Sequence, residues 1–276
     1  MHTTVSDGTD SPLELLDRII EKKIDLFSVT DHDAIKAGKI LKEPTALAGV
    51  GFITGAEFSC KDEKGKYHIL GYNYDPDAKA INDLVNKGHG LRMNKLEQRL
   101  SFLSEEFGFS FPEREIETLR AMDNPGKPHI GNLMTKLGFS ASKEDAIKNF
   151  INKRRFATEY LRPEETIRAV LESGGIPVLA HPCYGTGDQL IIGDELKERV
   201  DYLTGFGLKG LEGYYSGFSP KLTELVLGIA KEKDLYVTAG SDYHGSNKLV
   251  ELGDTGLENL NDAPDGLKKF IEAVLG

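Results

Sequence analysis

The stretch Leu26–Asp33, LFSVTDHD, indicates the fold class of this chain. Four of its first five residues suit a buried β-strand, and a histidine between two aspartates follows without a gap. Polar side chains directly after a buried strand are typical of parallel α/β folds, which place their chemistry at the carboxyl edge of the sheet. One such stretch carries little weight, but the chain repeats the arrangement several times.

Strand-like segments alternate with helical ones over most of the chain. We predict six strands: Leu26–Thr30, Gly51–Ser59, Tyr67–Tyr72, Ile176–Ala180, Gly210–Tyr214 and Leu235–Ala239. Helices are predicted between them, several with proline at the first helical position, as at Pro12 and Pro220. The alternation predicts an α/β fold with a mostly parallel sheet, and right-handed crossovers would bring the carboxyl end of every strand to one rim.

The alternation stops in the middle of the chain. Residues 82–152 are helical in pattern and charged, with a break at Asn124–Gly126. Beyond them the rhythm of strand and helix resumes. We therefore predict that residues 1–81 and 153–276 form one α/β domain, into which residues 82–152 are inserted as a helical cap subdomain.

The composition is that of a globular protein with a full hydrophobic core. The chain has 276 residues, of which 39% are hydrophobic and 28% charged. Its longest apolar runs are only a few residues, such as Ile176–Ala180, so we expect no membrane span. Cys60 and Cys183 are too few for a disulfide scaffold, and no charged-then-apolar leader precedes the first motif. A reduced, cytoplasmic setting is the expectation.

The formal net charge of −10 argues against binding along an extended nucleic-acid duplex. It leaves a small phosphorylated substrate open, because divalent cations at a site reverse the local field whatever the total charge. The charge thus excludes a broad nucleic-acid-binding face rather than every phosphorylated ligand.

Imidazoles and carboxylates lie in or just after the strand-like segments. The eight candidates for metal ligands are His2, Asp7, His32, Glu57, His68, His181, Asp242 and His244. Imidazole and carboxylate without thiolate suit Mn²⁺, Fe²⁺ or Zn²⁺ in a catalytic site, and eight ligands exceed what one tetrahedral ion uses, so we predict two or three divalent ions. Each residue alone is more often a hydrogen-bonded core or surface group, but that interpretation accounts poorly for all eight at strand ends.

Six segments together resemble the successive motifs of the PHP (polymerase and histidinol phosphatase) superfamily. They are His2–Gly8, Thr30–Asp33, Gly55–Glu57, His68–Tyr72, Leu179–Pro182 and Gly240–His244. The resemblance covers nearly the whole chain. It implies a distorted seven-stranded (βα)7-type, TIM-like barrel with a metal cluster at its carboxyl rim, and hydrolysis of phosphate esters by a metal-activated hydroxide.

Two further segments, Gly126–Ile130 and Phe156–Tyr160, are similar to the stand-alone branch of that superfamily. Its members act on nucleoside phosphates, 3′,5′-bisphosphates and short RNA ends, so the resemblance implies a small nucleotide or short RNA as substrate. It also implies that Lys127 and His129 reach the substrate; a helix start with an exposed lysine is an equally good interpretation of Lys127. Arg155 could face the site from a solvated helix end.

The acid–base roles stay open at this point. His181 or His129 could protonate the leaving group, and Asp33 beside His32 could orient an imidazole from behind. The family opens with His-x-His on its first strand, whereas here Met1 occupies the x position. We expect that the first histidine and its strand are missing because the sequence is an incomplete copy.

Three alternative functions remain. Similar barrels use similar ligands to hydrolyse C–N bonds, as amidohydrolases do, and fold resemblance cannot decide the chemistry. Histidinol-phosphate hydrolysis is the nearest competitor, although the long helical insertion favours a nucleotide. A non-catalytic metal-binding regulatory module is the alternative from another class.

Overall fold

The structure, a computed structural model, describes residues 1–154, 156, 160–185 and 189–276. Within these residues, six strands form one curled sheet, in which they are ordered as in the chain. The strands are β1 Leu26–Val29, β2 Gly51–Lys61, β3 Lys66–Tyr72, β4 Ile176–Leu179, β5 Gly210–Tyr215 and β6 Tyr236–Gly240. Every strand expected from the sequence is present, and its ends lie within two residues of the predicted ones.

The sheet is mixed. β1 pairs with β2, β4 with β5 and β5 with β6 in parallel, whereas β3 is antiparallel to both of its neighbours. The expectation that all carboxyl ends lie at one rim is therefore wrong for β3, because a tight hairpin after β2 reverses the chain. The hairpin register places His68 opposite Ser59. His68 is the third residue of β3, so it still lies at the rim where β2 ends.

Ten helices surround the sheet in the described residues. They are α1 Pro12–Glu21, α2 Lys36–Ala48, α3 Lys79–Phe107, α4 Glu113–Arg120, α5 Lys127–Lys136, α6 Lys143–Asn149, α7 Pro163–Glu172, α8 Gly193–Thr204, α9 Pro220–Glu232 and α10 Asp265–Leu275. Sequence reasoning did not predict α8, although its buried side chains Leu196, Val200 and Leu203 follow helical spacing. None of the helices in these ranges is long and apolar enough to cross a membrane.

The hydrophobic residues form separate cores. The largest packs helices such as α7 and α9 against the sheet, around fully buried side chains that include Phe58 and Ile69. The helices α3 to α6 pack around a core of their own, whose buried members include Leu103, Ile130 and Met134. A cluster of partly buried phenylalanine rings packs against that second core, and the ring centroids of Phe109 and Phe139 stack at 4.6 Å.

The first two residues lie between the two outer strands of the sheet. The Thr30 amide, just after β1, donates to the Met1 carbonyl at 2.8 Å. The His2 amide donates to the carbonyl of Tyr243, which follows β6, also at 2.8 Å. These two hydrogen bonds place His2 at the same rim as the ends of β1 and β6.

Candidate metal centre

The eight candidate ligands converge at this rim. Seven of them form three groups of potential ligand atoms, and within each group all atoms lie within 4.8 Å of one another. The groups are His2, Asp7, His32 and His244; His32, Glu57 and His68; and His2, Glu57 and Asp242. His181, the eighth, lies beside the second group, with its Nε2 3.2 Å from Nδ1 of His68.

Glu57 is the centre of the cluster. Its Oε1 lies 2.6 Å from Nδ1 of His68 and 3.3 Å from Nε2 of His181. Its Oε2 lies 3.1 Å from Nε2 of His2 and 3.9 Å from Nδ1 of His32. The backbone explains the last contact, because His32 and Glu57 form a parallel bridge that continues the β1–β2 pairing. One carboxylate thus faces four imidazoles.

Asp7 and Asp242 close the other side of the cluster. Asp7 Oδ1 lies 3.3 Å from Nε2 of His244, and Asp242 Oδ1 lies 3.2 Å from Nε2 of His2. The other oxygen of Asp242 accepts hydrogen bonds from the Tyr215 hydroxyl and the Lys248 ammonium. Asp242 therefore turns one oxygen to the imidazoles while its second is held from behind.

Backbone strain accompanies this arrangement. His181, with φ of 29°, and Asp242, with φ of 54°, adopt positive φ values that residues other than glycine rarely take. Each follows a strand, His181 after β4 and Asp242 after β6. Such strain clusters at functional sites, where the surrounding structure holds residues in an unfavourable backbone conformation.

The electrostatics of the cluster favour bound cations. Burial raises the pKa of Glu57, but the imidazoles around it prevail and hold that pKa well below its usual range. The pKa values of Asp7 and Asp242 are lowered in the same way, chiefly by His244 and by His2. Burial lowers the pKa of His32 to about 3, so this imidazole is neutral. Three ionised carboxylates therefore lie together in a largely buried site.

The donor set fits divalent metal ions. Nδ1 of His32 and Nε2 of His2 are buried and make no well-aligned hydrogen bond among the described residues, although Nε2 of His2 lies 3.1 Å from Glu57 and 3.2 Å from Asp242. Ligand atoms about 2.1 Å from one tetrahedral ion lie about 3.4 Å apart. Three contacts around Glu57 and His2, of 3.1, 3.2 and 3.3 Å, are near that value. Unpaired imidazole nitrogens among ionised carboxylates are what a metal site requires.

The two aspartates beside His32 do not contact its ring. Asp31 is buried and accepts hydrogen bonds from the amide and hydroxyl of Thr3, both at 2.7 Å, and from the hydroxyl of Ser6. Asp33 accepts from the Ser59 amide at 2.8 Å and forms an ion pair with Arg92. Asp31 thus fixes the loop that carries His2 and Asp7, whereas Asp33 anchors an arginine.

Glu212, in the middle of β5, supports His181 through the backbone. Its Oε2 accepts the His181 amide at 2.7 Å, and this bond stabilises the positive φ of His181. Gly240 leaves the room that the carboxylate needs, because a Cβ there would lie 2.1 Å from Oε1 of Glu212. Burial raises the pKa of Glu212 to about 7, although His181 opposes the shift.

Two replacements of Glu212 test whether its role is to accept the His181 amide or to supply a negative charge. Glu212→Gln keeps an oxygen that accepts the amide, so we expect metal content and melting temperature close to those of the unchanged protein. Glu212→Ala leaves the buried amide unpaired, and we expect metal affinity to fall by about 10- to 100-fold, the usual cost of losing a supporting partner. Metal titration of the two variants checks this. Equal affinities in the alanine and glutamine variants would contradict the assigned role.

A cavity of about 290 Å³ opens beside the cluster, and Asp7 and His32 belong to its lining. Its other charged members are mostly cations: Lys66, Arg92, Lys95, Arg99 and Lys127. Among the described residues, only Arg92 of these five forms an ion pair with a carboxylate. In a chain with a net charge of −10, four unpaired cations around one cavity indicate an anion-binding site.

The cations depress one another's pKa values. Burial, followed by Arg92 and Arg99, lowers the pKa of Lys95 to about 7. Burial and the nearby Arg99 and Lys66 also lower the pKa of Lys127. A bound phosphate would relieve this repulsion, because it would bring negative charge next to the cations.

The two predicted substrate residues on α5 line this cavity. Nζ of Lys127 donates to Oδ1 of Asn152 at 2.5 Å, and Nδ1 of His129 accepts the Gly126 amide at 3.0 Å. The His129 ring also forms a hydrogen bond with the backbone of Ser6, and burial lowers its pKa. Arg155 lies outside the described residues.

Sequence reasoning did not identify Lys66 or the three cations on α3. Arg92, Lys95 and Arg99 recur at intervals of three and four residues, which places them on one face of the helix. That periodicity was the available signal. Tyr160, in a motif that was recognised, also lines the cavity, with the Lys95 ammonium 3.3 Å from its ring centroid.

The chain is similar in sequence to bacterial enzymes over most of its length. It is 26% identical to the 5′-3′ exoribonuclease Rnm of Salmonella typhimurium, over 91% of this chain and 86% of that protein. It is 27% identical to a phosphoribosyl 1,2-cyclic phosphate 1,2-diphosphodiesterase of Eggerthella lenta, over 89% of this chain and 92% of that protein. A 3′,5′-nucleoside bisphosphate phosphatase of Chromobacterium violaceum is 24% identical, over 88% of this chain and 85% of that protein. No family model matches the chain.

A solved structure shares the fold. It is that of a protein from Bifidobacterium adolescentis, provisionally named a metal-dependent phosphoesterase, and it superposes with a TM-score of 0.82. The superposition covers 99% of this chain and 94% of that one, at 27% sequence identity. The two proteins therefore have the same architecture over nearly their full lengths.

Proposed function

We propose that this chain is a metal-dependent phosphoesterase of the PHP superfamily and that it hydrolyses a phosphate ester of a small nucleotide or of a short oligonucleotide end. One observation carries the proposal: the carboxylate–imidazole cluster and the cavity of unpaired cations share Asp7 and His32. A phosphate in that cavity would lie directly against the metal ligands.

The residues of the site would have different roles in this reaction. Divalent ions held by the eight ligands would polarise the phosphoryl oxygens and lower the pKa of a water molecule at the site. Arg99, Lys127 and Lys95 would hold the remaining phosphate oxygens, equally in the substrate and in the transition state. His129 or His181 would donate a proton to the departing alkoxide, since both imidazoles border the cavity or the cluster. Asp33 would act through Arg92, whose direction it fixes.

Finer features belong to the same proposal. Two or three ions of Mn²⁺, Fe²⁺ or Zn²⁺ are consistent with the number and type of ligands. A seven-stranded barrel is supported by the position of Met1 and His2, whose backbones join the chain after β1 to the chain after β6. Residues 82–152 would act as a cap, since α3 and α5 supply most of the cavity's cations.

The function can be tested with a metal-depleted protein and a substrate panel. We expect no phosphate release after chelation, and recovery of at least 100-fold in rate when Mn²⁺ or Zn²⁺ is restored. A nucleoside 3′,5′-bisphosphate and a 5′-phosphorylated tetraribonucleotide should be hydrolysed faster than histidinol phosphate. The assay measures released phosphate and nucleotides with each of several metals.

Two results would contradict the proposal. Stoichiometric metal binding without turnover of any phosphate ester would support a regulatory metal-binding module. Hydrolysis of cyclic amides such as dihydroorotate, in place of phosphate esters, would support the C–N hydrolase alternative.

A further inference from the structure

A second cavity, of about 300 Å³, adjoins the first, and Lys66 lines both. The Lys66 carbonyl accepts a hydrogen bond from Nη2 of Arg199 at 2.7 Å, and Arg199 is part of the second cavity. After burial and the nearer arginines, the Lys66 ammonium contributes to the lowered pKa values of Lys95 and Lys127 in the first cavity. Lys66 therefore lies between the two neighbouring cavities and contributes positive charge to both.

In the second cavity, two cationic side chains lie over tyrosine rings. The Arg199 guanidinium lies 4.3 Å from the ring centroid of Tyr67, and the Lys64 ammonium lies 3.8 Å from that of Tyr202. Nε of Arg199 is buried and has no hydrogen-bond partner in the described part of the chain. Arg199 forms no ion pair with a carboxylate in those residues either, so no direct carboxylate partner neutralises its positive charge.

The charges of the two cavities differ in a way that matches two kinds of phosphate. The first has five cationic side chains, and Asp7 is its only carboxylate among the described lining residues. The second has Lys64, Lys66 and Arg199 against Glu195 and Glu198, which leaves an excess of one positive charge. A terminal phosphate carries nearly two negative charges at neutral pH, whereas an internal phosphodiester carries one. The second cavity therefore suits a phosphodiester.

We propose that the second cavity binds the next nucleotide of a single-stranded oligonucleotide whose scissile phosphate ester lies in the first cavity. Arg199 and Lys64 would contact the phosphodiester that joins the two nucleotides. The inference rests on the proposed phosphoesterase function and adds that the chain acts on oligonucleotides through a dedicated subsite. A mononucleotide would use the first cavity alone.

Arg199→Gln tests the subsite, with Lys197→Gln as the control. Lys197 is on the same helix, α8, but it is exposed and lies near Glu232, away from the cavity. For Arg199→Gln, we expect kcat/KM to fall at least about 10-fold with a 5′-phosphorylated tetraribonucleotide and to stay within twofold with a nucleoside 5′-monophosphate, which lacks the internucleotide phosphate. The control should match the unchanged protein on both substrates.

A binding measurement without turnover separates this inference from the proposed function. Fluorescence anisotropy of a labelled tetraribonucleotide in EDTA should show weaker binding by Arg199→Gln. The slope of log affinity against log salt concentration should also become shallower by about 0.7, the contribution of one lost phosphate contact on a single strand. If no substrate is hydrolysed with any metal but this binding difference is found, the function fails and the subsite stands.

Other outcomes overturn the subsite. They are an equal loss of kcat/KM on both substrates, or no loss on either together with unchanged binding. Should Arg199→Gln fail to fold by circular dichroism, Lys64→Gln in the exposed β2–β3 turn replaces it, with the same expected split between the two substrates.

Discussion

Glu57→Gln is expected to abolish metal binding at the cluster and to reduce turnover well beyond the 10- to 100-fold that loss of a supporting residue costs. Glu57 is 3% exposed, and its carboxylate lies within 3.9 Å of four imidazoles. Glutamine has nearly the same shape but no charge, so it removes the anionic ligand without opening a cavity. The expected readouts are metal content by mass spectrometry and the rate of phosphate release.

Glu43→Gln on α2 is the matched control, because Glu43 is exposed. It should leave metal content and rate unchanged. Circular dichroism and the melting temperature, measured without metal, show whether Glu57→Gln folds. A folded Glu57→Gln protein that keeps full metal content and a rate within threefold of the original would exclude Glu57 as a ligand. Asp242→Ala and His181→Ala provide independent tests of the same cluster.

The sequence was sufficient to predict the strands and the residues that follow them. Alternating strands and helices identify the segments before Asp31 and His181, because a buried strand and an abrupt polar end are both local features. The convergence of His32, His181, Asp242 and His244 follows from topology, since parallel neighbours end at the same edge. His68 reaches that edge from the antiparallel β3. Successive side chains of β2 point to opposite faces of the sheet, which determines which of them reach the metal-ligand cluster. Glu57 is one of these, and its backbone forms a parallel bridge with that of His32.

The direction of β3 was mispredicted although its signal is local. Only four residues, from Asp62 to Gly65, connect β2 and β3, and a link this short requires an antiparallel hairpin. Asp62 stabilises the turn by accepting hydrogen bonds from the amides of Lys64 and Gly65. The expectation of a parallel sheet, drawn from the rest of the chain, took precedence over this turn.

The cationic cavity could not be predicted from the helix that supplies it. A face carrying Arg92, Lys95 and Arg99 is usually solvated, so its periodicity alone favours an exposed surface. Contacts between segments that are distant in the sequence direct this face of α3 towards the cavity. Asp33 pairs with Arg92, 59 residues later, and Nδ2 of Asn124 donates to the carbonyl of His32. These contacts hold α3 and the chain around Asn124 against the rim, and only the folded chain shows them.

Arg99→Gln is expected to raise KM for a phosphate ester by about 10- to 100-fold while changing kcat much less. Arg99 lines the cavity and has no carboxylate partner in the described ranges, and burial lowers its pKa. An unpaired, partly buried guanidinium gains most when an anion arrives, and a hydrogen bond between charged groups contributes about 1.5–3 kcal/mol. A residue that binds the phosphate equally in the substrate and in the transition state changes KM alone.

Arg114→Gln is the control, since Arg114 is an exposed arginine on α4. It should leave both constants unchanged. Inorganic phosphate, as a competitive inhibitor, should lose affinity for Arg99→Gln to the same degree as the substrate does, because both require the same cation. If KM and phosphate inhibition both stay within twofold of the original while the protein is folded, the cavity does not bind the substrate phosphate. A fall in kcat at constant KM would instead place Arg99 against the charge that develops during the reaction, because only interactions made in the transition state act on kcat alone.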